Sequence, residues 1–74
     1  MKIDILERGY KVKDKLRSLI EKKLERMEKY LGKDASAKVV CSKVKEREKM
    51  EVTINASGLY VRSEVESDNM YANL

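Results

Sequence analysis

The fold is decided by VKDKLRSLIEKKLERMEKYL, residues 12 to 31, the longest periodic stretch in a chain of 74 residues. Apolar residues recur in it every three or four positions, at Val12, Leu16, Ile20, Leu24, Met27 and Leu31. This spacing is typical of an α-helix with one apolar stripe. Gly32 follows at a position where a left-handed C-cap would end the helix. The stretch therefore predicts a helix of about five turns that packs one face against another layer.

The segments on both sides of this helix have the patterns of strands. Residues 2 to 8, KIDILER, place Ile3 and Ile5 on one face, and Gly9 then permits a turn. Residues 37 to 44, AKVVCSKV, are rich in β-branched side chains and have no helical period. The sequence therefore predicts one strand before the helix and one after it.

Two further strands follow in an alternating pattern. MEVTI, residues 50 to 54, and LYVRSEV, residues 59 to 65, alternate apolar with polar residues around the turn NASG, residues 55 to 58. The polar run KEREK, residues 45 to 49, is predicted to connect the second strand to the third. A strand–helix–strand unit followed by two antiparallel strands predicts a mixed four-stranded sheet with the helix on one face. The outer face of the last strand would carry Arg62.

The last eight residues, SDNMYANL, read as the first turns of a second helix. Ser67 or Asp68 is expected to cap it, and Met70, Tyr71 and Leu74 share one apolar face. The predicted fold is thus α+β, of order β-α-β-β-β-(α), with helices on one face and a second helix that is truncated or missing. Residues 1 to 74 would form a single domain that is incomplete at its C-terminal helix.

One helix is too narrow to cover four strands. If the remainder of the second helix is absent, an apolar patch on the last two strands is expected to stay partly uncovered, at Val52, Ile54, Leu59 and Val61. Monomers rarely tolerate large exposed apolar patches. Self-association or exchange of a segment with a partner copy is then expected.

The composition excludes several classes of function. The chain has no His and one Cys, Cys41, so neither a disulfide nor a zinc site has a ligand set, and no Ser–His or Cys–His pair exists. No stretch is long and apolar enough to suggest a membrane span or a signal peptide. The sequence therefore predicts a cytoplasmic domain that is not an enzyme and needs no cofactor or metal, with Cys41 acting as a small hydrophobic residue.

Charge is concentrated on the predicted helix. Residues 11 to 33 hold nine basic and four acidic side chains. At about 100° per residue they separate into two neighbouring bands. The basic band comprises Lys11, Lys15, Lys22, Arg26, Lys29 and Lys33, and the acidic band comprises Asp14, Glu21, Glu25 and Glu28. A solvated face and a contact surface for RNA phosphates both fit this pattern. Tyr30 and Tyr71 adjoin apolar positions and are predicted to lie in the core.

Four stretches resemble the ribosome hibernation promoting factors and ribosome-associated inhibitors, also called the protein Y or sigma-54 modulation protein family. The resemblance covers the whole chain as a family N-terminal domain, and lies in residues 12 to 31, MEVTI (50 to 54), GLYVRSE (58 to 64) and SDNMYANL (67 to 74). The family usually has an acidic pair before Met-Tyr-Ala, where this chain has Asn69. Lys13 stands where a Thr cap is common, and Ser42 at a usually apolar position.

The resemblance implies a fold similar to double-stranded RNA-binding domains and a bacterial, ribosome-binding function. Such a domain would bind the small ribosomal subunit and its rRNA, in the channel used by mRNA and tRNA, and silence idle ribosomes under stress. The candidate RNA-binding residues are Lys15, Lys22, Lys23, Arg26, Lys29 and Arg62. Two alternatives stay open: a general double-stranded RNA-binding module, and a protein-interaction domain with an acidic partner.

Overall fold

The computed structural model describes residues 1–74. Four strands and one helix follow in the order β1 (Lys2–Arg8), α1 (Asp14–Leu31), β2 (Ser36–Val44), β3 (Arg47–Ala56) and β4 (Leu59–Ser67). A short 3-10 helix, Met70–Asn73, ends the chain and is called here the C-terminal turn. The strands lie side by side in chain order, with β1 parallel to β2 and the other two pairings antiparallel. The predicted mixed sheet and β-α-β-β-β order are confirmed.

The core lies between α1 and the sheet. Leu16, Ile20 and Leu24 are buried on α1, and they form one apolar cluster with Val39 and Cys41 of β2. The cluster also includes Met50 and Ile54 of β3 and Met70 of the C-terminal turn. The apolar face of α1, with its period of about four residues, and the inner face of the strands, with its period of two, therefore pack together in a single layer of side chains.

The helix differs from its prediction at its first residue and in how much of its apolar stripe is buried. It begins at Asp14 rather than at residue 12, and Lys13, the N-cap, makes no side-chain capping bond. At the other end the predicted stripe is only partly covered, because Met27 is exposed and Leu31 is half-buried. The helix ends at Leu31 as predicted, and Gly32 follows with a positive φ of 90°, which a residue with a side chain rarely adopts. Its ψ of 162° lies outside the left-handed helical region, so the predicted left-handed C-cap is wrong.

The connection between β2 and β3 is shorter than predicted. Val44 pairs with Arg47, so only Lys45 and Glu46 form the turn and the expected connection over residues 45 to 49 is wrong. The reason lies across the sheet. Arg47 Nε is 3.1 Å from Glu66 Oε1, and Lys49 Nζ is 3.8 Å from Glu64 Oε1, both on β4. Ion pairs on the solvent side let these charged residues continue the strand.

The C-terminal turn is anchored to β3. Glu48 Oε1 accepts a hydrogen bond from the Met70 backbone N–H at 2.7 Å, and Asn73 Nδ2 donates to the Glu48 backbone carbonyl at 2.9 Å. The side chain of Asn69 accepts from the Tyr71 N–H at 2.9 Å. The predicted cap at Ser67 or Asp68 is therefore wrong by one or two positions, because Asn69 is the residue with extended backbone directly before the turn.

A groove lies between α1 and the last two strands. It has a volume of about 320 Å³ and is lined mainly by apolar side chains, among them Met27, Val52, Val61, Val65 and Leu74. Ile54 also reaches the groove but is buried, so its predicted exposure is wrong; contact with the α1 cluster covers it. The expected uncovered patch thus exists, but it is centred on β4. No helix combines the length and the apolar run that crossing a membrane requires.

Candidate nucleic-acid interface

The two charged bands of α1 lie on opposite flanks of the helix. On one flank, Glu28 Oε1 is 2.7 Å from the amino group of Met1, which lies at the start of β1. This bond and the positive charge of the amine lower the pKa of the Glu28 carboxyl. On the other flank, Lys15 and Lys23 contact the C-terminal turn. Glu28 of the acidic band therefore lies beside the start of β1, and Lys15 of the basic band, together with Lys23, lies beside the C-terminal turn.

Three basic residues form the centre of the second flank. Lys22, Arg26 and Lys29 are exposed and lie at i, i+4 and i+7 along α1. We call these three side chains the basic ridge. None of the ion pairs in the structure includes a member of the ridge, even though Glu21 and Glu25 lie on the same helix. The positive charge of the ridge is consequently not neutralised within the molecule, and it is open to an external anion.

Lys15 and Lys23 flank the ridge but have partners within the chain. Lys15 Nζ lies 5.9 Å from the centre of the Tyr71 ring, within the range of a cation–π contact. Lys23 Nζ donates a hydrogen bond to the backbone carbonyl of Leu74. Both ammonium groups stay at the surface, so they support the C-terminal turn while adding charge to the same flank.

Arg62 lies apart from the five helix residues. Its side chain is on the outer face of β4, on the side of the sheet that α1 does not cover, and its Nη2 is 3.2 Å from Glu51 Oε2. Lys49 contacts both Glu51 and Glu64 on that face. Hydrogen bonds from Lys49 and then Arg62 lower the pKa of the Glu51 carboxyl. The structure thus brings together Lys15, Lys22, Lys23, Arg26 and Lys29, but not Arg62.

Both tyrosines predicted to lie in the core are exposed. Tyr30 is 88% exposed, one helical turn beyond Arg26 and beside the basic ridge. Its side chain is therefore almost entirely in water, and it is not part of the apolar cluster between α1 and the sheet. Tyr71 is exposed because Met70, the residue before it, takes the core position. Periodicity alone cannot distinguish these positions from buried ones, because coverage depends on the neighbouring layer.

Comparison with known proteins gives a consistent assignment. Residues 3–74 match the family model described as sigma 54 modulation protein / S30EA ribosomal protein. The chain is 32% identical over 72 residues to a ribosome hibernation promoting factor of Azotobacter vinelandii, a match that covers 97% of this chain and 67% of the relative.

Solved structures agree in fold. The crystal structure of the Thermus thermophilus protein Y N-terminal domain superposes with a TM-score of 0.87 at 33% identity, covering 97% of this chain and 81% of that one. A ribosomal subunit interface protein from Coxiella burnetii superposes with a TM-score of 0.84 at 24% identity, covering 97% and 79%. The chain therefore belongs to the sigma 54 modulation protein / S30EA ribosomal protein family, a family of ribosome-associated factors.

Proposed function

We propose that this domain is a non-catalytic, cytoplasmic hibernation factor that binds rRNA of the small ribosomal subunit through the basic ridge and so inhibits translation in idle cells. The observation that carries the proposal is the unpaired ridge of Lys22, Arg26 and Lys29 on one flank of α1. The family assignment supports a ribosomal partner.

The spacing of the ridge suits a nucleic acid backbone. Residues at i, i+4 and i+7 rise by about 10 Å along a helix, so their long side chains reach successive phosphates. Like charges at i, i+4 cost a helix a few tenths of a kcal/mol when nothing neutralises them. An RNA backbone removes that repulsion and releases counterions at the same time. Recognition by charge and groove shape, rather than by base sequence, is typical of structured RNA.

The neighbouring residues extend the proposed surface. Lys15 and Lys23 add charge at its edge, and Tyr30 provides an exposed ring at the end nearest Lys29. RNA contact by Arg62 stays a prediction, and it would need a second surface, because Arg62 lies on the other face of the sheet and is paired with Glu51.

The decisive experiment replaces the ridge. Lys22→Gln, Arg26→Gln and Lys29→Gln are combined, and binding to purified small subunits is measured at several salt concentrations. We expect weaker binding and a flatter salt dependence, because each lost phosphate contact removes roughly 0.7 to 0.9 from the slope of log affinity against log salt. Folding should be retained, because the three side chains point away from the buried stripe and Gln has a similar helix propensity.

The matched control neutralises the other band of the same helix. Glu21→Gln with Glu25→Gln should leave subunit binding equal or tighter. An unchanged affinity and salt slope in the triple variant, with a normal melting temperature, would show that the ridge is only a solvated surface and does not contact RNA. Cosedimentation with ribosomes separates the remaining alternatives: a general double-stranded RNA-binding module would bind free duplexes equally well, and a domain for an acidic protein partner would not sediment with either subunit.

A further inference from the structure

The strand β4 is an unpaired edge of the sheet. It pairs with β3 on one side only, and every residue from Leu59 to Glu66 is exposed. An edge strand of this length presents a row of backbone N–H and C=O groups to any chain that approaches it. Its two sides differ in chemistry. Val61 and Val65 face the groove and Leu59 lies on the same face of the sheet, whereas the outer face carries Tyr60, Arg62, Glu64 and Glu66 with their β3 partners.

We propose that a second copy of this chain pairs with this edge, antiparallel, about a two-fold axis that passes through Ser63. Such an axis is perpendicular to the sheet, so it keeps the helix side of both copies on the same side. Each residue then faces a residue of the same side in the second copy. The result is a continuous eight-stranded sheet that carries both α1 helices on one face.

Charge complementarity selects the register. An axis through Arg62 or through Glu64 sets that charge against itself, and an axis through Val65 sets Glu64 against Glu66. Like charges directly opposite each other destabilise a strand pair. An axis through Val61 avoids this repulsion but leaves the end of the strand, from Glu64 onward, beyond the second β4. Only the axis through Ser63, the midpoint of Leu59–Ser67, pairs the whole strand without setting like charges opposite each other.

In that register the cross-strand pairs are favourable on both sides. On the outer face Arg62 is opposite Glu64 of the second copy, twice by symmetry, and the like charges lie on the longer diagonals. On the groove side Val61 is opposite Val65 of the second copy, also twice. Opposite-charge and β-branched pairs of this kind each stabilise antiparallel strands. The two valines are 43% and 45% exposed in the single chain, so pairing removes apolar area from water.

Disulfide crosslinking tests directly which residues of the two β4 strands face each other. In the proposed dimer the Ser63 Cα atoms of the two copies are about 4.5 to 5.5 Å apart, within the range of a disulfide. Ser63→Cys should therefore crosslink the intact chain into a covalent dimer under mild oxidation. Val61→Cys is the matched control, because its two copies would be about 14 Å apart. Cys41 is fully buried and does not compete. Crosslinking of Val61→Cys, or of neither variant, overturns the proposed register.

A charge-exchange test is independent of new thiols. Light scattering should show a concentration-dependent dimer of the native chain. Arg62→Glu alone, or Glu64→Arg alone, creates two like-charge pairs in its own dimer and should weaken dimerisation roughly tenfold. Mixing the two variants restores both opposite-charge pairs, so the mixed dimer should regain native affinity. Melting temperatures of each variant control for lost pairs with Glu51 and Lys49. A monomeric native chain, or a mixture no tighter than the single variants, overturns the proposal.

Discussion

The two halves of the helix-bearing sheet face are covered to different degrees. In β2, Val39 and Cys41 are fully buried beneath α1, whereas in β4, Val61 and Val65 remain almost half-exposed at the groove. All four residues lie on the helix-bearing face of the sheet. An alternating pattern therefore determines which side chains point inward, whereas the packing of the next layer determines whether they are buried.

The largest loss of stability is expected in the closed half of this face, where β2 is buried beneath α1; the open half is the part at β4. Leu16 is 1% exposed and belongs to the cluster between α1 and the sheet, so Leu16→Ala should lower the free energy of unfolding by roughly 3 kcal/mol through lost contacts and a cavity. Val65→Ala, on the open half, should cost well under half as much, because its side chain already contacts water. Urea unfolding of both variants measures the difference. Equal losses would contradict the division into closed and open halves.

An intermediate loss of stability is expected where the C-terminal turn is anchored to β3, at the hydrogen bond from the Met70 N–H to Glu48. Glu48→Ala leaves that N–H without its partner and should cost about 1 to 2 kcal/mol, with faster amide exchange at Met70. Glu46→Ala, in the exposed turn two residues earlier, should change stability by less than about 0.5 kcal/mol. If both variants unfold at the same urea concentration, the C-terminal turn is not held by Glu48.

The smallest effect on stability is expected at the β1 edge, where the contribution of Glu28 should disappear at acid pH. The Met1 amine lowers the pKa of Glu28 in the folded protein, so the unfolded chain binds a proton there at higher pH. The stabilisation is therefore complete above the ordinary glutamate pKa of about 4.3 and is lost as the pH falls through the lower folded value. Glu28→Gln should be less stable than native at neutral pH, and the two stabilities should converge in acid.

Thermal unfolding at a series of pH values measures this convergence. Glu25→Gln is the control, because Glu25 lies on the same helix and makes no ion pair. A difference between native and Glu28→Gln that stays constant across the pH range would show that the Met1–Glu28 contact does not contribute through charge.

Local periodicity was enough to predict most of the fold. Their spacing predicts the burial of Leu16, Ile20 and Leu24, alternation predicts Arg62 on the outer face, and the structure confirms both. Predictions failed where coverage depends on residues distant in sequence. Met27 follows the apolar spacing but stays exposed at the groove, and Tyr30, which adjoins the stripe, is almost entirely in water. Arg47 to Lys49 look like a polar connection, yet cross-strand partners keep them in β3.

The candidate interface shows the same division. The segregation of Lys22, Arg26 and Lys29 from the acidic band follows from 100° per residue and was visible in the sequence. The partners of Lys15 and Lys23 were not, because both contacts join α1 to the C-terminal turn, about fifty residues away in the chain. Charge alone groups Arg62 with the helix residues, whereas its place in the alternating pattern of β4 already predicts the outer face, away from α1.

The mixed pairing of the sheet sets an order in which its parts are expected to fold. The β2–β3 and β3–β4 hairpins close over turns of two residues, whereas β1 pairs with β2 only after the whole of α1 has been brought back across the sheet. Closing a short loop costs less chain entropy than closing a long one, so the two hairpins should form early and β1 should dock last. Substitutions at Ile3 or Ile5 should accordingly accelerate unfolding while leaving the refolding rate nearly unchanged.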